Sequence, residues 1–267
     1  KRGSTDFMDY CTEIGFSETG CSSQREAMGG YLAGLEADID LVALNMGGVC
    51  DTNANAYSFA AQYLGVPFYG LDYPSNLTSD EVQEYHHKDY RALIRFLEEH
   101  SGCKFDIDRL RELLEEKKKQ DELMNELEEM QLLVPNPVPG IYHIMIYAGR
   151  YIYSGRKKYT KMLREMVEIV RKNAAGNRPG LKKGTEKNRS FLVYIDNYSL
   201  GISMIEWFEK KGISHIGNIL SRTFTESAPY TTGVPGTAYR IDTSDLDTMI
   251  DSMADINARM PMTRTIR

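Results

Sequence analysis

The sequence predicts an α/β fold with two parallel-sheet domains joined by a helical segment. Short apolar runs alternate with patterns of helical periodicity from residue 21 to residue 102, and the alternation resumes near residue 188. Strands that alternate with helices are typical of a parallel sheet covered on both faces. The predicted division is a first α/β domain with long helices at 1–134, a connector at 135–187, and the start of a second α/β domain at 188–267.

The first domain is predicted to follow the order helix, strand, helix, strand, helix. A helical pattern begins at Cys21, and Ser23 and Glu26 match a capping box that would set the start of this helix. Gly65 and Gly102 follow the last periodic residues of two later helices, as C-terminal caps do. The predicted elements are, in chain order, CSSQREAMGGYLAGLE, IDLVALNM, NANAYSFAAQYLG, VPFYGLD and LTSDEVQEYHHKDYRALIRFLEEHSG.

The middle of the chain is predicted to be helical up to a proline-rich break. FDIDRLRELLEEKKKQDELMNELEEMQLL has apolar residues at helical spacing with dense charge between them, which indicates a long helix with a solvated face. VPNPVPG ends this helix, because three prolines within five residues cannot continue it. The next segment predicts a helix, KKYTKMLREMVEIVRKN, and the one after it a surface loop, AAGNRPGLKKGTEKN. A strand (SFLVYIDN), a helix (SLGISMIEWFEKKG) and a second strand (ISHIGNIL) are predicted to follow. The segment TSDLDTMIDSMADINARM predicts one more helix.

Composition restricts the class of protein. A chain of 267 residues with 42% hydrophobic residues has enough apolar surface to fold without disulfides. Its formal charge of -6 disfavours nucleic-acid binding, which depends on lysine and arginine at phosphates, although local basic patches remain possible. No apolar run approaches the roughly 20 residues of a membrane span, and no signal-peptide pattern is present. We therefore expect a cytoplasmic protein that binds neither nucleic acid nor membrane.

Two of the four cysteines are candidates for chemistry. Cys50 lies in the strand-to-helix loop of LVALNMGGVCDTN, and in a parallel sheet such loops line the edge where ligands bind. Cys21 begins the preceding helix, and it belongs to the same edge if an earlier strand leads into that helix. A helix N-terminus favours the thiolate that binds metal or reacts. Gly47 and Gly48 would allow the backbone to approach a bulky group closely.

A single cysteine is more often an inert buried residue than a ligand. Two cysteines at helix starts make these two interpretations about equally favoured. The spacing disfavours zinc, and two cysteines do not complete an iron-sulfur cluster. Cys11 is a possible third ligand, whereas Cys103, at the far end of a helix, is interpreted as structural. Glu18, three residues before Cys21, could act as a base near a substrate, although a solvated carboxylate without a catalytic role is the simpler interpretation of this residue. Core or surface packing is favoured for the adjacent pair HH at 86–87.

Several segments together resemble the subunits of 2-hydroxyacyl-CoA dehydratases and the related benzoyl-CoA reductases, of the 2-hydroxyglutaryl-CoA dehydratase D-component type. The segments are ETGCSSQREAMGGYLAGL, LVALNMGGVCDTNANAY, VPFYGLDYP, SGCKFDIDRLRELLEE and SFLVYIDNYSLGISMIEWFEKKGISHIGNIL. In this family one cysteine opens a helix of the first α/β domain, and a second, often followed by aspartate, ends a strand. These positions match Cys21 and the pair Cys50 and Asp51, and the resemblance covers nearly the whole chain.

The resemblance implies that Cys21 and Cys50 are ligands of a 4Fe-4S cluster. Family subunits pair as a heterodimer with a second dehydratase subunit, and each holds a cluster through three cysteines. An ATP-hydrolysing iron-sulfur activator supplies one electron, and a ketyl radical of the acyl-CoA substrate then expels the hydroxyl group as water. The implied substrate approach is formed by Gly47, Gly48 and Ser22. The candidate catalytic residue is Glu18, as a base, on the ground of its position before Cys21 and not of the resemblance.

The resemblance leaves alternatives open within the family. The chain could be a benzoyl-CoA reductase-like subunit, or a non-catalytic subunit whose cluster only relays electrons. The family's third cysteine ligand lies further along the second α/β domain than this sequence extends. We therefore expect a chain that lacks a C-terminal piece, with its second domain truncated, and part of its N-terminus. The third ligand is expected outside this chain, with Cys11 as the weaker candidate within it.

Overall fold

The computed structural model describes residues 4–34, 39–46, 50–72, 79–192, 201–218 and 241–258. Within these ranges the chain is a helix-rich α/β protein with nine helices and four short strands, all paired in parallel. The chain forms two compact units. The first contains the described residues of Lys1–Phe105 and Met253–Arg267, and the second contains those of Asp106–Ser252. The three-part division drawn from the sequence stays a prediction.

The first unit confirms the predicted order of elements and adds a helix before it. Strands β1 and β2 pair in parallel, from Val42 opposite Phe68 to Met46 opposite Asp72, with a helix between them in the chain. A parallel connection of this kind places the strand-to-helix loops at one edge of the sheet. The elements are α1 (Ser4–Glu13), α2 (Ser22–Leu32), β1 (Val42–Met46), α3 (Asp51–Leu64), β2 (Phe68–Asp72) and α4 (Asp80–Ser101).

Helix ends in the first unit follow local chemistry in most cases. Gly65 and Gly102 end α3 and α4 in the left-handed conformation, with φ of 67° and 69°, as predicted. The predicted capping box was wrong. Helix α2 begins at Ser22 with Cys21 in the cap position, so Ser23 lies inside the helix, where its side chain cannot cap the helix start.

Small residues allow the helices of the first unit to pack closely. The core of this unit is formed by Cys11, Phe16, Met28, Leu32, Ala56 and Ala60. Gly29 is buried in α2, and a Cβ atom added there would overlap the backbone carbonyl of Phe7 in α1. The absence of a side chain at this position therefore sets the distance between the two helices.

The second unit combines three long helices with a second pair of parallel strands. Its strands pair Asn188 with Ile213 and Ser190 with His215, with an irregularity before Leu192. This confirms the predicted strand, helix and strand near the C-terminal end. The elements are α5 (Ile107–Met130), α6 (Ile141–Tyr153), α7 (Lys157–Ala175), β3 (Asn188–Leu192), α8 (Gly201–Lys210), β4 (Ile213–Asn218) and α9 (Leu246–Ala258), the last of which extends past the boundary at Ser252.

The core of the second unit joins α5, α6 and α7 through apolar side chains and one buried amide. The Nε2 atom of Gln120 donates to the backbone carbonyl of Arg156 at 3.1 Å and to the hydroxyl of Thr160 at 3.0 Å, and its Oε1 accepts from the N–H of Gly155 at 2.9 Å. Each polar atom of this buried side chain is thus satisfied. The apolar core consists of Met124, Leu127, Val138, Tyr142, Ile146, Tyr159, Leu163, Met166, Val167 and Val170.

Asp121 is a buried acid beside this core, and its titration should be visible in the stability of the protein. It is 2% exposed and forms an ion pair with Lys117. Burial raises the pKa of Asp121, although Lys117 and Arg150 act to lower it. Because the folded pKa lies above the unfolded value of about 3.9, the contribution of this site to stability is complete below that pH. It is then lost as the pH rises through the folded pKa.

The quantity to follow is the difference in unfolding free energy between the unmodified protein and Asp121→Asn. We expect this difference to fall as the pH rises from about 4. Urea unfolding at a series of pH values measures this difference. Asp245 provides a control of opposite sign, because hydrogen bonds from the backbone N–H and the hydroxyl of Thr248 lower the pKa of Asp245. The difference for Asp245→Asn should rise over the acidic range. A rising difference for Asp121→Asn would contradict the assignment.

Candidate functional site

Cys50 lies where the sequence predicts it, in the loop between β1 and α3. It occupies the N-cap position of α3 in an extended conformation, and its Sγ atom accepts a hydrogen bond from the backbone N–H of Asn53 at 3.3 Å. The side chain is exposed and forms no disulfide. This N–H group and the positive end of the helix dipole both suit a metal-bound sulfur ligand. The predicted substrate-approach residues Gly47 and Gly48 lie outside the described residues.

Cys21 occupies the corresponding position at the start of α2. Its side chain is exposed and makes no capping hydrogen bond, while its carbonyl accepts the N–H groups of Gln24 and Arg25 at 3.0 Å each. Ser22, the other predicted approach residue, is the first residue of α2 and is exposed. The thiol lies at a helix N-terminus and is accessible, and accessibility is what a metal ligand or a nucleophile requires.

The topological argument that places Cys21 on the same edge as Cys50 depends on a strand before α2. Residues 4–21 instead form α1 followed by turns. Helix α2 packs against both α1 and α3, so the two cysteines begin neighbouring helices. Convergence of the two thiols on one ligand stays a prediction.

The other two cysteines have different surroundings. Cys11 lies within α1 and is fully buried in the core of the first unit. Burial raises the pKa of the Cys11 thiol, with Arg25 opposing this effect, and a raised pKa disfavours the thiolate that a cluster requires. Cys103 follows the glycine cap of α4 and is exposed, and its backbone N–H donates to the hydroxyl of Ser101 at 3.1 Å.

Glu18 borders a cavity of about 490 Å³ lined by residues of α1, α2 and the turn between them. Arg25 connects these parts. Its Nη2 atom donates to the hydroxyl of Thr12 at 2.7 Å, and its Nη1 atom donates to the carbonyl of Glu18 at 3.2 Å. The side chain of Glu18 is exposed. The sequence offered no local signal for the role of Arg25, because its partners lie 7 and 13 residues away. The cavity is lined by Asp9, Thr12, Glu13, Glu18 and Arg25.

The histidine pair of α4 packs as predicted. His86 is 1% exposed and its ring meets that of Tyr90 edge-on, with centroids 5.1 Å apart. Burial lowers the pKa of His86, so the neutral ring is favoured. The Nε2 atom of His87 lies 2.9 Å from a carboxyl oxygen of Asp255. Both rings therefore have structural partners within the first unit.

In the described ranges, no three histidine, cysteine, aspartate or glutamate side chains are grouped closely enough to hold a metal ion. Cys21 and Cys50 thus fit a cluster only as two thiolate donors of a larger set. No helix in the described part of the chain has the length and apolar character needed to cross a bilayer.

The fold and the site define a helix-rich α/β protein with an accessible thiol at the N-terminus of each of two neighbouring helices. The family model of the 2-hydroxyglutaryl-CoA dehydratase D-component matches residues 2–266, so the chain belongs to this family. The description implies a dehydratase component, which works together with another component. A comparison with curated proteins finds no match.

Proposed function

We propose that the chain is a subunit of an iron-sulfur (R)-2-hydroxyacyl-CoA dehydratase, in which Cys21 and Cys50 are two ligands of a 4Fe-4S cluster. The observation that carries this proposal is the position of the two cysteines. Both are exposed and free, and both begin helices of the first unit in a chain that belongs to a dehydratase family. Iron-sulfur clusters bind through cysteine sulfur, and exposed thiols at helix starts are accessible to metal.

The chain's own residues have defined tasks in this proposal. The N–H of Asn53 holds the Cys50 sulfur and supports its negative charge, which is how groups around a metal site tune its ligands. Glu18, exposed beside the cavity at α1 and α2, is the proposed acid or base. A cluster held in part by Cys21 and Cys50 would provide one-electron chemistry at the thioester. The overall reaction breaks a C–OH and a C–H bond of the acyl-CoA, forms a C=C bond and releases water, so it is redox-neutral and the electron is not consumed.

Two partners belong to the proposal. A second dehydratase subunit completes the heterodimer, in agreement with the component named in the family description. An ATP-hydrolysing iron-sulfur activator delivers the electron. In the alternatives, the chain is a benzoyl-CoA reductase-like subunit, or it belongs to the same heterodimer but only relays electrons.

Anaerobic reconstitution of the protein together with its partner subunit tests the proposal. We expect iron and acid-labile sulfide in equal amounts and a broad visible absorption from the cluster. Protein that stays colourless and free of iron would contradict every version of the cluster proposal. Turnover of lactoyl-, hydroxyglutaryl-, hydroxyisocaproyl- and phenyllactyl-CoA in the presence of the activator then identifies the substrate. Reduction of benzoyl-CoA instead would favour the first alternative.

A further inference from the structure

The second unit contains a concentration of positive charge that the proposed function does not use. Residues 157–189 include eleven lysines and arginines and only three glutamates, although the whole chain has a formal charge of -6. Part of this charge lies in the loop between α7 and β3. Lys210, the last residue of α8, and Lys211, in the turn before β4, add to it, and both are exposed.

Backbone hydrogen bonds join these two segments into one surface. The N–H of Lys187 donates to the carbonyl of Gly212 at 2.8 Å, and the N–H of Asn188 donates to the same carbonyl at 3.3 Å. A Cβ atom at Gly212 would lie 3.1 Å from the Cγ atom of Lys187, so the lysine stem runs over the turn. We call the exposed side chains of this region the lysine surface. It consists of Lys183, Lys187, Lys210 and Lys211.

The carboxylates near the lysine surface do not neutralise it. The side chain of Glu186 is 8% exposed and pairs with Arg189 at 2.8 Å, and Glu206 lies 3.4 Å from Lys182. One carboxyl oxygen of Glu209 is buried. Within the part of the chain that the structure describes, no ion pair engages the four lysines of the surface. Counted over the described residues, the surface therefore presents a net positive charge to solvent.

The lysine surface lies at the N-terminal edge of the β3 and β4 pair, because Lys187 precedes β3 and Gly212 precedes β4. Ligands of parallel sheets bind at the opposite edge, beyond the C-terminal ends of the strands. Trp207 adds an apolar group here. Its side chain is 53% exposed, and its carbonyl accepts the N–H of Lys211, which places it one helical turn away. Tryptophan is enriched at the centres of protein interfaces.

We propose that the lysine surface is a docking site for the acidic face of a protein partner. Clustered exposed charge attracts a partner of opposite sign and accelerates encounter. A nucleic acid is the less suitable polyanion, because single-strand binding generally uses several stacking aromatics along a basic groove. The lysine surface belongs to the second unit and uses neither Cys21 nor Cys50, so its test does not depend on the proposed cluster.

The fluorescence of Trp207 provides the test, because it is the single tryptophan of the chain. Poly-L-glutamate serves as the acidic peptide probe, and polyphosphate and a single-stranded oligonucleotide of equal charge serve as comparison probes. We expect poly-L-glutamate to change the emission with a Kd that weakens roughly tenfold between 50 and 200 mM salt, as screening requires. No response to poly-L-glutamate, or tighter binding of either comparison probe, would overturn the proposal.

Charge reversal locates the binding site. The triple variant Lys187→Glu, Lys210→Glu and Lys211→Glu should weaken poly-L-glutamate binding at least about tenfold. The matched control, Lys158→Glu, Lys161→Glu and Arg164→Glu, changes the net charge equally on the first two turns of α7 and should retain most of the affinity. An equal loss in both variants would refute a local site. Circular dichroism checks folding, and glutamine substitutions at the same lysines replace the first variant if it unfolds. Iron content should be unchanged throughout.

Discussion

Cys50→Ser is expected to remove the cluster of this chain, so that iron in the reconstituted heterodimer falls to the content of the partner subunit's own cluster, while α3 stays folded. The sulfur is removed as a ligand, and losing even a supporting group around a metal site weakens binding by about 10–100-fold. Serine is also a favoured N-cap residue, and its oxygen can accept the N–H of Asn53 in place of the sulfur. The substitution thus separates ligation from helix capping. Iron and sulfide analysis measures the first, and urea unfolding measures the second.

Cys21→Ser should reduce iron content to a similar extent, since the proposal assigns the same role to both residues. Cys103→Ser is the matched control, because this cysteine is also exposed and free but follows the C-terminal cap of α4. It should retain the iron content of the unmodified protein. Equal iron in all three variants would contradict the ligand assignment. A loss in Cys11→Ser alone would transfer the assignment to the buried thiol.

Gly29→Ala is expected to destabilise the protein by about 1–3 kcal/mol or more, the usual cost of forcing atoms into a packed core. Intrinsic propensity predicts the opposite sign, since alanine in a helix is favoured over glycine by up to about 1 kcal/mol. Packing should prevail because the new methyl group would overlap backbone atoms of Phe7, which cannot rotate away as a side chain can. Urea unfolding gives the free energy of each protein.

Glu26→Ala provides the comparison for this prediction, because Glu26 is exposed on the same helix. Its effect should stay within about 0.5 kcal/mol, as is usual for surface positions. A stabilising Gly29→Ala would show that α1 and α2 do not pack closely at this point. Because Cys21 begins α2, the variant also tests whether this packing supports the thiol: a weaker iron site would accompany the lost stability.

Much of the first unit could be predicted from the sequence because its signals are local. The apolar run ending at Met46, the helical periodicity after Cys50 and the glycine at residue 65 each act over a few residues. Together they predicted β1, α3 and the position of Cys50 between them. The same local patterns, compared over the whole chain, predicted the family that the match over residues 2–266 confirms.

Helix α1 was not predicted, and the start of α2 was assigned to the wrong cap. The segment DYCTEIGF lacks a clear turn signal, and the helix formed by its first residues is stabilised by packing on α2. At α2, two serines and a cysteine precede the periodic residues. Cys21 and not a serine takes the cap position, because its carbonyl accepts the N–H groups of Gln24 and Arg25. Backbone geometry decided between candidates that were equivalent in sequence.

The sequence by itself determined the alternation of strands and helices, the place of Cys50 at a helix start, and membership of the family. The tertiary structure decided that Cys11 is buried, that Arg25 connects α1 to the turn before α2, and that Gly29 sets the distance between helices. It also joined lysines of separate segments into one surface. Periodicity and capping act between residues a few positions apart, whereas burial and charge clustering depend on which distant segments the fold brings together.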